Sequence, residues 1–412
     1  MKYISTRNKS EKVSLSEAIK YGLAKDGGLF VPEEIPKIKD IDSLKNISYS
    51  DFAAKILKPY FEGDALEEKL EKICKESFNF DVPFVDLYDF KIMELFHGPT
   101  LAFKDFGARF LANCLNETGD KFKIMVATSG DTGGAVASAF NNKKNIDVTI
   151  LYPNNGISKE QEDQLNCWGE NIHSYAIEGS FDDCQDLVKK SFNLNIDNLT
   201  SANSINIARL LGQIVYYAYY SLKEKNVNYI IPSGNIGNSM GCFWAKEMGF
   251  PIENIYLSSN SNTPIKEFLK NKEIVSLKTI KTVANAMDVG KPSNLERLQN
   301  LPNLDNHLKY VKNSSISDEL ILNTIEQTYK KYGYILDPHT ATAVAMFKEK
   351  SEKDKNWMII ATAHPSKFKE IYSQTGIKIE SHKSLEILKK YVKQKVVKSP
   401  NLLEITKSYR KV

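Results

Sequence analysis

The chain has 412 residues, of which 42% are hydrophobic and 26% are charged, a composition typical of a soluble globular protein. With 55 basic and 51 acidic residues, the formal net charge of +4 gives no reason to expect a nucleic-acid partner. No apolar run approaches the ~20 residues that span a bilayer, and the N-terminus has no apolar signal core, so we expect a cytoplasmic protein without membrane contact.

The cysteines argue against a disulfide framework and against a metal site. There are five of them, an odd number, and no pair has C-x-x-C or zinc-ligand spacing; they are Cys74, Cys114, Cys167, Cys184 and Cys242. This pattern fits a reducing compartment, and we expect no metal ion.

Residues 1–82 differ from the rest of the chain in their predicted secondary structure. Helical periodicity appears over residues 15–23 and 52–73, with Pro32 and Pro36 in the stretch between them. We therefore predict a small, mostly helical N-terminal domain. Because a domain usually holds about 100–200 residues, we divide the remainder into an α/β domain at 83–204 and a second α/β domain at 205–412.

From about residue 83, predicted strands and helices alternate. The predicted strands cover residues 123–128, 148–152, 172–177, 229–231, 255–258 and 357–362. The predicted helices cover residues 135–140, 158–168, 181–192, 205–222 and 240–248. This alternation predicts two open parallel sheets with helices on both faces, and it places ligand sites at the carboxyl ends of the strands.

A lysine between two phenylalanines stands at a predicted loop-to-helix junction, in the segment HGPTLAFKDFG at residues 97–107. Lysine is rarely fully buried, and an apolar setting lowers the pKa of its amine towards the nucleophilic form. Schiff-base chemistry needs such an amine, so Lys104 is a candidate for that role. A surface lysine beside two core aromatic rings is the alternative that these residues leave open.

Two glycine-rich segments follow predicted strands and precede predicted helices. They are TSGDTGG at residues 128–134 and PSGNIGN at residues 232–238. Glycines permit close backbone approach, and N–H groups at a helix N-terminus suit an anion. We expect the second segment to form a phosphate nest, although it lacks the ending of a P-loop and the spacing of a dinucleotide fingerprint. A simple capped turn remains the alternative for the first.

Three further segments carry polar side chains. In ATAHPSKF at residues 361–368, Thr362 stands at a strand end, where its hydroxyl can bond a neutral ring nitrogen. His364 and His339 could be acids or bases, although a structural role beside a proline turn is the simpler interpretation. By themselves, SANSIN at residues 201–206 is a polar helix start and NAMDVGKPSN at residues 285–294 is a polar loop.

Taken together, six segments resemble the threonine synthase family in their order and approximate spacing. They are ELFHGPTLAFKDFGARF, ATSGDTGGAVASAF, SANSINIARLLGQ, PSGNIGN, NAMDVGKPSN and ATAHPSKFKE. The likeness runs from GLAKDGGLFVP to about residue 375 and is to the longer microbial and fungal branch of the family. It implies a pyridoxal-phosphate enzyme of the tryptophan-synthase-β-like fold, fold type II. Such an enzyme converts O-phospho-L-homoserine and water to L-threonine and phosphate by γ-elimination and β-addition, the last step of threonine biosynthesis.

The resemblance also implies roles for individual residues. Lys104 matches the Schiff-base lysine, and Thr362 matches the threonine that faces the ring nitrogen. The loop that holds the cofactor phosphate corresponds to Gly234, Asn235, Ile236, Gly237 and Asn238. Substrate contacts are expected from Ser129, Asp131, Thr132, Asn203, Ser204, Asn206, Arg209, Asp288 and Lys291.

The chain departs from the family pattern at a few positions. Many relatives carry an acid in place of Asn238 and a phenylalanine in place of Ile236, and Asp337 stands where we associate a glutamate with the family. We expect little functional change, because backbone N–H groups do most of the phosphate binding. The basic stretch at residues 385–398 is predicted to pack as a C-terminal helix.

Two other functions remain open at the level of sequence. One is a lyase of the same fold that degrades O-phosphohomoserine to 2-oxobutyrate and ammonia, and the other is a non-catalytic relative that binds or signals. The intact Lys104 and phosphate loop argue against the second. We expect a small-molecule substrate and a monomer or homodimer.

Overall fold

The computed structural model describes residues 1–194, 196–352 and 355–407. The N-terminal region contains three short strands and three α-helices. They are β1 (Tyr3–Ser5), β2 (Lys12–Val13), α1 (Leu15–Tyr21), β3 (Phe30–Pro32), α2 (Tyr49–Phe61) and α3 (Leu70–Ser77). The helices confirm a mostly helical N-terminal part. The strands, which pair antiparallel in the order β2-β1-β3, were not predicted, because runs of two or three residues are too short to show a period of two.

The next stretch alternates strands and helices, as predicted. Its elements are β4 (Phe84–Asp86), β5 (Lys91–Glu94), α4 (Lys104–Glu117), β6 (Phe122–Ala127), α5 (Asp131–Phe140), β7 (Ile146–Pro153), α6 (Lys159–Asn166), β8 (Ile172–Ile177), α7 (Phe181–Ser191) and β9 (Leu199–Thr200). The bounds of β8 equal the prediction, and α5 begins four residues earlier than predicted because its glycine-rich first turn shows no apolar periodicity.

The remainder of the chain adds the second set of elements. They are α8 (Ile207–Lys223), β10 (Val227–Pro232), α9 (Gly237–Glu247), β11 (Ile252–Ser259), α10 (Pro264–Asn271), α11 (Leu295–Gln299), α12 (Leu304–Leu308), β12 (Val311–Ser315), α13 (Asp318–Tyr332), α14 (Pro338–Lys350), β13 (Asn356–Ala361), α15 (Lys369–Tyr372), α16 (Lys383–Lys389), β14 (Val397–Lys398) and α17 (Leu402–Ile405). Short 3-10 helices cover Asp42–Leu44, Glu67–Lys69, Phe192–Leu194, Asn285–Met287 and Pro365–Phe368.

Two larger sheets carry the α/β part, which confirms the predicted fold class. The six-stranded sheet has the order β12-β11-β10-β13-β5-β4 and is parallel except for β4 at its edge. The five-stranded sheet has the order β14-β8-β7-β6-β9, and all its strands are parallel. Because β5, β13 and β10 are neighbours, the loops after these three strands open on one edge of the larger sheet.

Sheet membership differs from the domain boundaries drawn from the sequence. Strands β4 and β5 precede residue 204 but lie in the larger sheet, and β14 from the C-terminal end joins the edge of the smaller one. Parallel strands are joined by long crossovers, so a chain can return to a sheet that it left earlier. The division at residues 82 and 204 therefore stays a prediction about domains and does not describe which strands pair.

One continuous hydrophobic core joins the N-terminal helices to the faces of both sheets. The helix α8 is central to it, because almost every residue from Ile207 to Leu222 is buried. Two smaller clusters cover the outer faces of the six-stranded and the five-stranded sheet. The N-terminal region is thus packed as part of the main body.

The basic stretch at residues 385–398 forms a helix only in its first part. Helix α16 ends at Lys389, and the chain then runs to β14, which pairs with β8. The edge of a sheet offers unpaired backbone groups that an extended segment satisfies and a helix cannot. In the described ranges of the chain, no helix combines the length and the apolar character needed to cross a bilayer.

Candidate active site

The segment before Lys104 is bonded directly to the end of strand β13. The backbone N–H of Phe103 donates to the carbonyl oxygen of Thr362 over 2.9 Å, and that of His364 donates to the carbonyl oxygen of Leu101 over 3.0 Å. Ala102 and Ala363 form an antiparallel bridge between these bonds. The start of α4 is therefore fixed against the strand end that carries Thr362.

Asp105 holds the loop that precedes the lysine. Its carboxylate accepts hydrogen bonds from the backbone N–H of Thr100 over 2.9 Å and from the hydroxyl of Thr100 over 2.7 Å. A Cβ at Gly98 would lie 2.5 Å from Oδ2 of Asp105, so only glycine permits the loop to approach this carboxylate. Burial raises the pKa of Asp105, against the effect of the bonds from Thr100.

Lys104 is half-buried at the N-terminus of α4, and its Nζ stands 4.3 Å from the ring centroid of Phe103. Burial lowers the pKa of Lys104 to about 8. The negative charge of Asp131 opposes this shift, whereas the positive charges of Arg209 and Lys367 add to it. A larger share of the amine is then neutral at pH 7 than for an ordinary lysine.

The loop after β10 presents backbone donors without acceptors. In the part of the chain that the structure describes, no acceptor receives the N–H groups of residues 234–238, which lead into the first turn of α9. Ile236 adopts a left-handed conformation with φ of 48°, which turns the loop back on itself. A Cβ at Gly234 would lie 2.7 Å from Cα of Met287. Such a nest of free donors fits a phosphate group.

The side chains of this loop face the protein. The Asn235 amide donates to the hydroxyls of Ser204 over 2.8 Å and Ser293 over 2.9 Å. The Asn238 side-chain oxygen accepts bonds from the hydroxyls of Tyr216 and Tyr217, while its Nδ2 is buried without a partner. The backbone, and not these side chains, is therefore available to an anion, and an acid in place of Asn238 would accept from the same two tyrosines.

Thr362 is buried and directly follows β13, the strand that pairs with β10. Its backbone N–H donates to the hydroxyl of Thr340 over 3.2 Å, and that hydroxyl in turn donates to Asp337, which caps α14. The hydroxyl of Thr362 itself bonds to none of the described residues. It is therefore free to meet a ring nitrogen from the side of the sheet.

The loop after β6 is shaped by Thr128, whose hydroxyl accepts from the N–H groups of Gly130 over 3.0 Å and Gly133 over 2.8 Å. Ser129 and Thr132 are half-buried, and within the described ranges their hydroxyls form no hydrogen bond. These two hydroxyls are the free donors at the N-terminus of α5.

Asp131 is engaged within the protein. Its Oδ1 accepts from Nζ of Lys367 over 2.8 Å and from the amide of Gln161 over 3.0 Å. Burial alone would raise the pKa of Asp131, but the charge and the hydrogen bond of Lys367, together with smaller effects that include the bond from Gln161, lower that pKa to about 2. Asp131 is thus ionised and paired.

Lys367 was not singled out from the sequence, although it lies in one of the six segments. It is completely buried, and its Nζ donates both to Asp131 and, over 2.8 Å, to the carbonyl oxygen of Thr100. It therefore joins the loops after three strands, β5, β6 and β13. The available signal was a lysine beside a phenylalanine shortly after a predicted strand, whereas Lys104 drew attention because it lies between two phenylalanines at a loop-to-helix junction.

The segment before α8 has structural contacts throughout. Asn206 caps α8 and donates to the carbonyl oxygen of Ile19, and the amide of Asn203 donates to the carbonyl oxygen of Ala127. Arg209 is buried and bonds the carbonyl oxygen of Ala202, while its Nε has no partner. Of these residues, only Arg209 keeps an unused polar atom on its side chain.

The two remaining predicted substrate residues, Asp288 and Lys291, differ in their surroundings. Asp288 accepts from the side chains of Asn260 and Thr282, each over 2.7 Å, and burial raises its pKa to about 6 against the effect of those bonds. Lys291 is exposed. The segment between α10 and α11 is attached to α14, because Nε2 of His339 accepts a hydrogen bond from the N–H of Ala286, which gives that histidine a structural role.

The five cysteines are free and buried, and the described residues contain no cluster of metal-ligand side chains. The combination of a lysine of lowered pKa, a phosphate nest and an unpaired threonine hydroxyl on three neighbouring strand ends fits pyridoxal phosphate, whose aldehyde, phosphate and ring nitrogen call for these three partners.

Comparison with known proteins agrees with this interpretation. The family model described as pyridoxal-phosphate dependent enzyme matches residues 91–363, and the model described as threonine synthase N terminus matches residues 2–78. A threonine synthase of Buchnera aphidicola (from Schizaphis graminum) is 40% identical over 388 residues, which cover 90% of each chain.

Solved structures show the same relationship. The crystal structure of threonine synthase from Escherichia coli has a TM-score of 0.92 and 34% identity, with 99% of each chain covered. The pyridoxal-phosphate-bound threonine synthase from Brucella melitensis has a TM-score of 0.91 and 32% identity, and covers 99% of this chain and 98% of its own. Sequence, fold and site thus agree, and the chain belongs to the threonine synthase family of pyridoxal-phosphate enzymes.

Proposed function

We propose that the chain converts O-phospho-L-homoserine and water to L-threonine and phosphate. The observation that carries this proposal is that the nest at residues 234–238, Thr362 and the segment leading to Lys104 follow the neighbouring strands β10, β13 and β5, with Phe103 bonded to Thr362. Lys104 would hold the cofactor aldehyde, the N–H groups of the nest its phosphate, and Thr362 its ring nitrogen. When bound, the cofactor withdraws electrons from the bonds at the α-carbon of the amino acid.

Lys104 has the properties of a proton carrier. Its Nζ, with a pKa of about 8, can accept a proton and return it near neutral pH without a large energetic penalty. Once the substrate amine has replaced it on the cofactor, Nζ would remove the α-proton and later the β-proton. The bond between Phe103 and Thr362 keeps the start of α4 in place throughout.

The substrate would lie on the loop after β6. The free hydroxyls of Ser129 and Thr132, at the N-terminus of α5, suit a carboxylate or phosphate oxygen. Five of the predicted substrate residues have polar atoms that are bonded within the protein, so we propose that they shape the site without contacting the substrate. They are Asp131, Asn203, Ser204, Asn206 and Asp288. Arg209 and Lys291 remain the cationic candidates for the departing phosphate.

We further propose a cytoplasmic enzyme that works as a monomer or homodimer and has the domains 1–82, 83–204 and 205–412. Five free thiols support a reducing compartment. The packing of the N-terminal helices into the main core supports a rigid body for the whole chain.

Product analysis tests the function. The purified enzyme, loaded with pyridoxal phosphate and given O-phospho-L-homoserine, should release threonine and phosphate in equal amounts. Release of 2-oxobutyrate and ammonia in place of threonine would identify a lyase of the same fold. A protein that binds the cofactor and releases neither product would contradict the proposal.

A further inference from the structure

Arg297, in the short helix α11, is a buried cation held entirely by neutral acceptors. It is only 1% exposed. Its guanidinium donates to the carbonyl oxygen of Phe30 over 3.1 Å, to that of Ser204 over 2.9 Å and to Oδ1 of Asn294 over 2.7 Å. A further bond goes to the carbonyl oxygen of Ile205. All the acceptors are uncharged, so the bonds orient the group without neutralising it.

No carboxylate in the described ranges lies within salt-bridge distance of this guanidinium. The adjacent Glu296 is engaged elsewhere, since it pairs with Arg7 over 2.9 Å and accepts from the hydroxyl of Thr6. Burial lowers the pKa of Arg297 to about 9, which still leaves the group charged at pH 7. Charges inside proteins are normally paired, so an anion is expected near this one.

The bonds of Arg297 lead directly to the phosphate nest. The amide of Asn294 donates to the carbonyl oxygen of Asn235 and to the hydroxyl of Ser204, each over 3.1 Å. A Cβ at Gly237 would lie 3.3 Å from Cβ of Ser204 and 3.4 Å from Nδ2 of Asn294. Two of the residues that Arg297 holds are therefore in van der Waals reach of the nest.

The direction of these bonds favours an anion in the nest. The guanidinium polarises the amide of Asn294, which donates to the carbonyl of Asn235. That carbonyl belongs to the same peptide group as the N–H of Ile236, so the N–H becomes a stronger donor. A phosphate in the nest would then receive polarised donors and would supply the negative charge that Arg297 lacks.

We propose that Arg297 is a positioning residue for the cofactor phosphate, which it serves by fixing the nest at residues 234–238 through Asn294 and Ser204 and by placing a positive charge behind it. Its bond to Phe30 makes the N-terminal region part of the same support. This inference rests on the proposed function, which assigns the cofactor phosphate to that nest.

The experiment compares binding of pyridoxal phosphate with binding of pyridoxal, which lacks the phosphate. Full-length enzyme is dialysed to equilibrium against a concentration series of each compound, and bound ligand is read from its absorbance. In Arg297→Met, the affinity for pyridoxal phosphate should fall about tenfold or more while that for pyridoxal changes little. Arg297→Lys, which keeps the charge but loses the fork of donors, should lose less in the same direction. Arg7→Met is the control, because Arg7 pairs with Glu296, the neighbour of Arg297; this variant should keep both affinities within about twofold.

An equal loss of affinity for both compounds in Arg297→Met would mean a merely structural role and would overturn the inference, as would unchanged affinities. If Arg297→Met does not fold, an unchanged preference for the phosphorylated compound in Arg297→Lys overturns it. Gly234→Val separates this inference from the proposed function. If Gly234→Val keeps the preference, the nest itself is misassigned. If Gly234→Val loses the preference and the Arg297 variants keep it, only the role of Arg297 is wrong.

Discussion

The Nζ of Lys367 lies 2.8 Å from Oδ1 of Asp131, and both side chains are buried. The pair joins the loop after β13 to the loop after β6, which belong to different sheets. Through its second bond, to the carbonyl oxygen of Thr100, Lys367 also reaches the segment before Lys104. One ammonium group thus fixes the relative position of the strand ends around the proposed site.

Removing one member of this pair should destabilise the fold. We expect Lys367→Met to lower the free energy of unfolding by about 3–5 kcal/mol, because Asp131 would remain as a buried, unpaired carboxylate. The double variant Lys367→Met with Asp131→Leu should recover most of the loss. Urea denaturation of the wild type, Lys367→Met, Asp131→Leu and the double variant measures both effects, and additive losses in the double variant would contradict the coupling.

The same pair predicts a loss of stability in acid. Lys367 holds the pKa of Asp131 at about 2, below the value in the unfolded chain. A lowered pKa contributes stability above the unfolded pKa and loses it as the pH falls towards the folded one, here between pH ~4 and ~2, by about 2 kcal/mol. Asp131→Asn should flatten this part of the stability profile, and an unchanged slope would argue against the assignment.

Lys104 should carry the cofactor and react at unusually low pH. In the full-length protein freed of cofactor, acylation of Lys104 should rise with a midpoint near pH 8, because burial lowers its pKa to about 8. Lys104→Ala should lose borohydride-trappable cofactor and activity, while the exposed Lys121→Ala serves as the control. Peptide mapping by mass spectrometry reads both results. Trapping at full yield in Lys104→Ala would exclude this residue as the anchor.

Gly234→Val should weaken cofactor binding without unfolding the protein. An added Cβ would lie 2.7 Å from Cα of Met287, so the nest must open, but Gly234 itself is only half-buried. We expect a loss of about tenfold or more in affinity for pyridoxal phosphate, with a small change in Tm. Gly119→Asn, at a surface turn with φ of 77°, is the control. If Gly234→Val bound pyridoxal phosphate as tightly as the wild type, the phosphate would have to lie elsewhere.

Thr362→Val should impair turnover more than cofactor binding. The substitution keeps the shape of the side chain and removes the hydroxyl that we expect to meet the ring nitrogen. We expect kcat to fall about tenfold, with a shift in the absorbance of the bound cofactor. Thr362→Ser keeps the hydroxyl and should retain most of the activity. Equal rates in Thr362→Val and the wild type would show that Thr362 has no role in the reaction.

The substrate should need its phosphate. We expect unphosphorylated homoserine to be a very poor substrate, and Lys291→Met to lower kcat/KM for O-phosphohomoserine about ten- to a hundredfold without releasing cofactor. Because Arg209 is buried and bonds Ala202, Arg209→Met should lower Tm even if it also lowers turnover. Steady-state assays on cofactor-loaded protein test the expectations for turnover. Equal rates with homoserine and O-phosphohomoserine would refute a γ-phosphate substrate.

The sequence predicted the parts of this site that depend on strand order. Thr362 and the nest at residues 234–238 could be placed together because both follow predicted parallel strands, and the loops after such strands share an edge. Lys104 follows β5, which was not predicted, and only the family resemblance associated it with the other two. Their orientation could not be predicted. The antiparallel contact between Ala102 and Ala363, which brings Lys104 to the strand end, is a tertiary pairing of single residues and leaves no periodic pattern.

Buried cations were harder to predict. Arg297 lies in a helix of five residues, too short to show which face is buried, and Lys367 lies in a 3-10 turn. A charged side chain in such a segment resembles an exposed one, because its acceptors are backbone carbonyls from distant parts of the chain. Only the assembled structure shows that both are enclosed.

The strand order also constrains how the chain can fold as it is synthesised. Strand β5 emerges early, yet its parallel partner β13 is made near the end of translation, and β14 completes the smaller sheet later still. Until then β5 has a free edge that could pair with another nascent chain. Contacts so distant in sequence form slowly, so refolding should require the nearly complete chain and should favour low protein concentration.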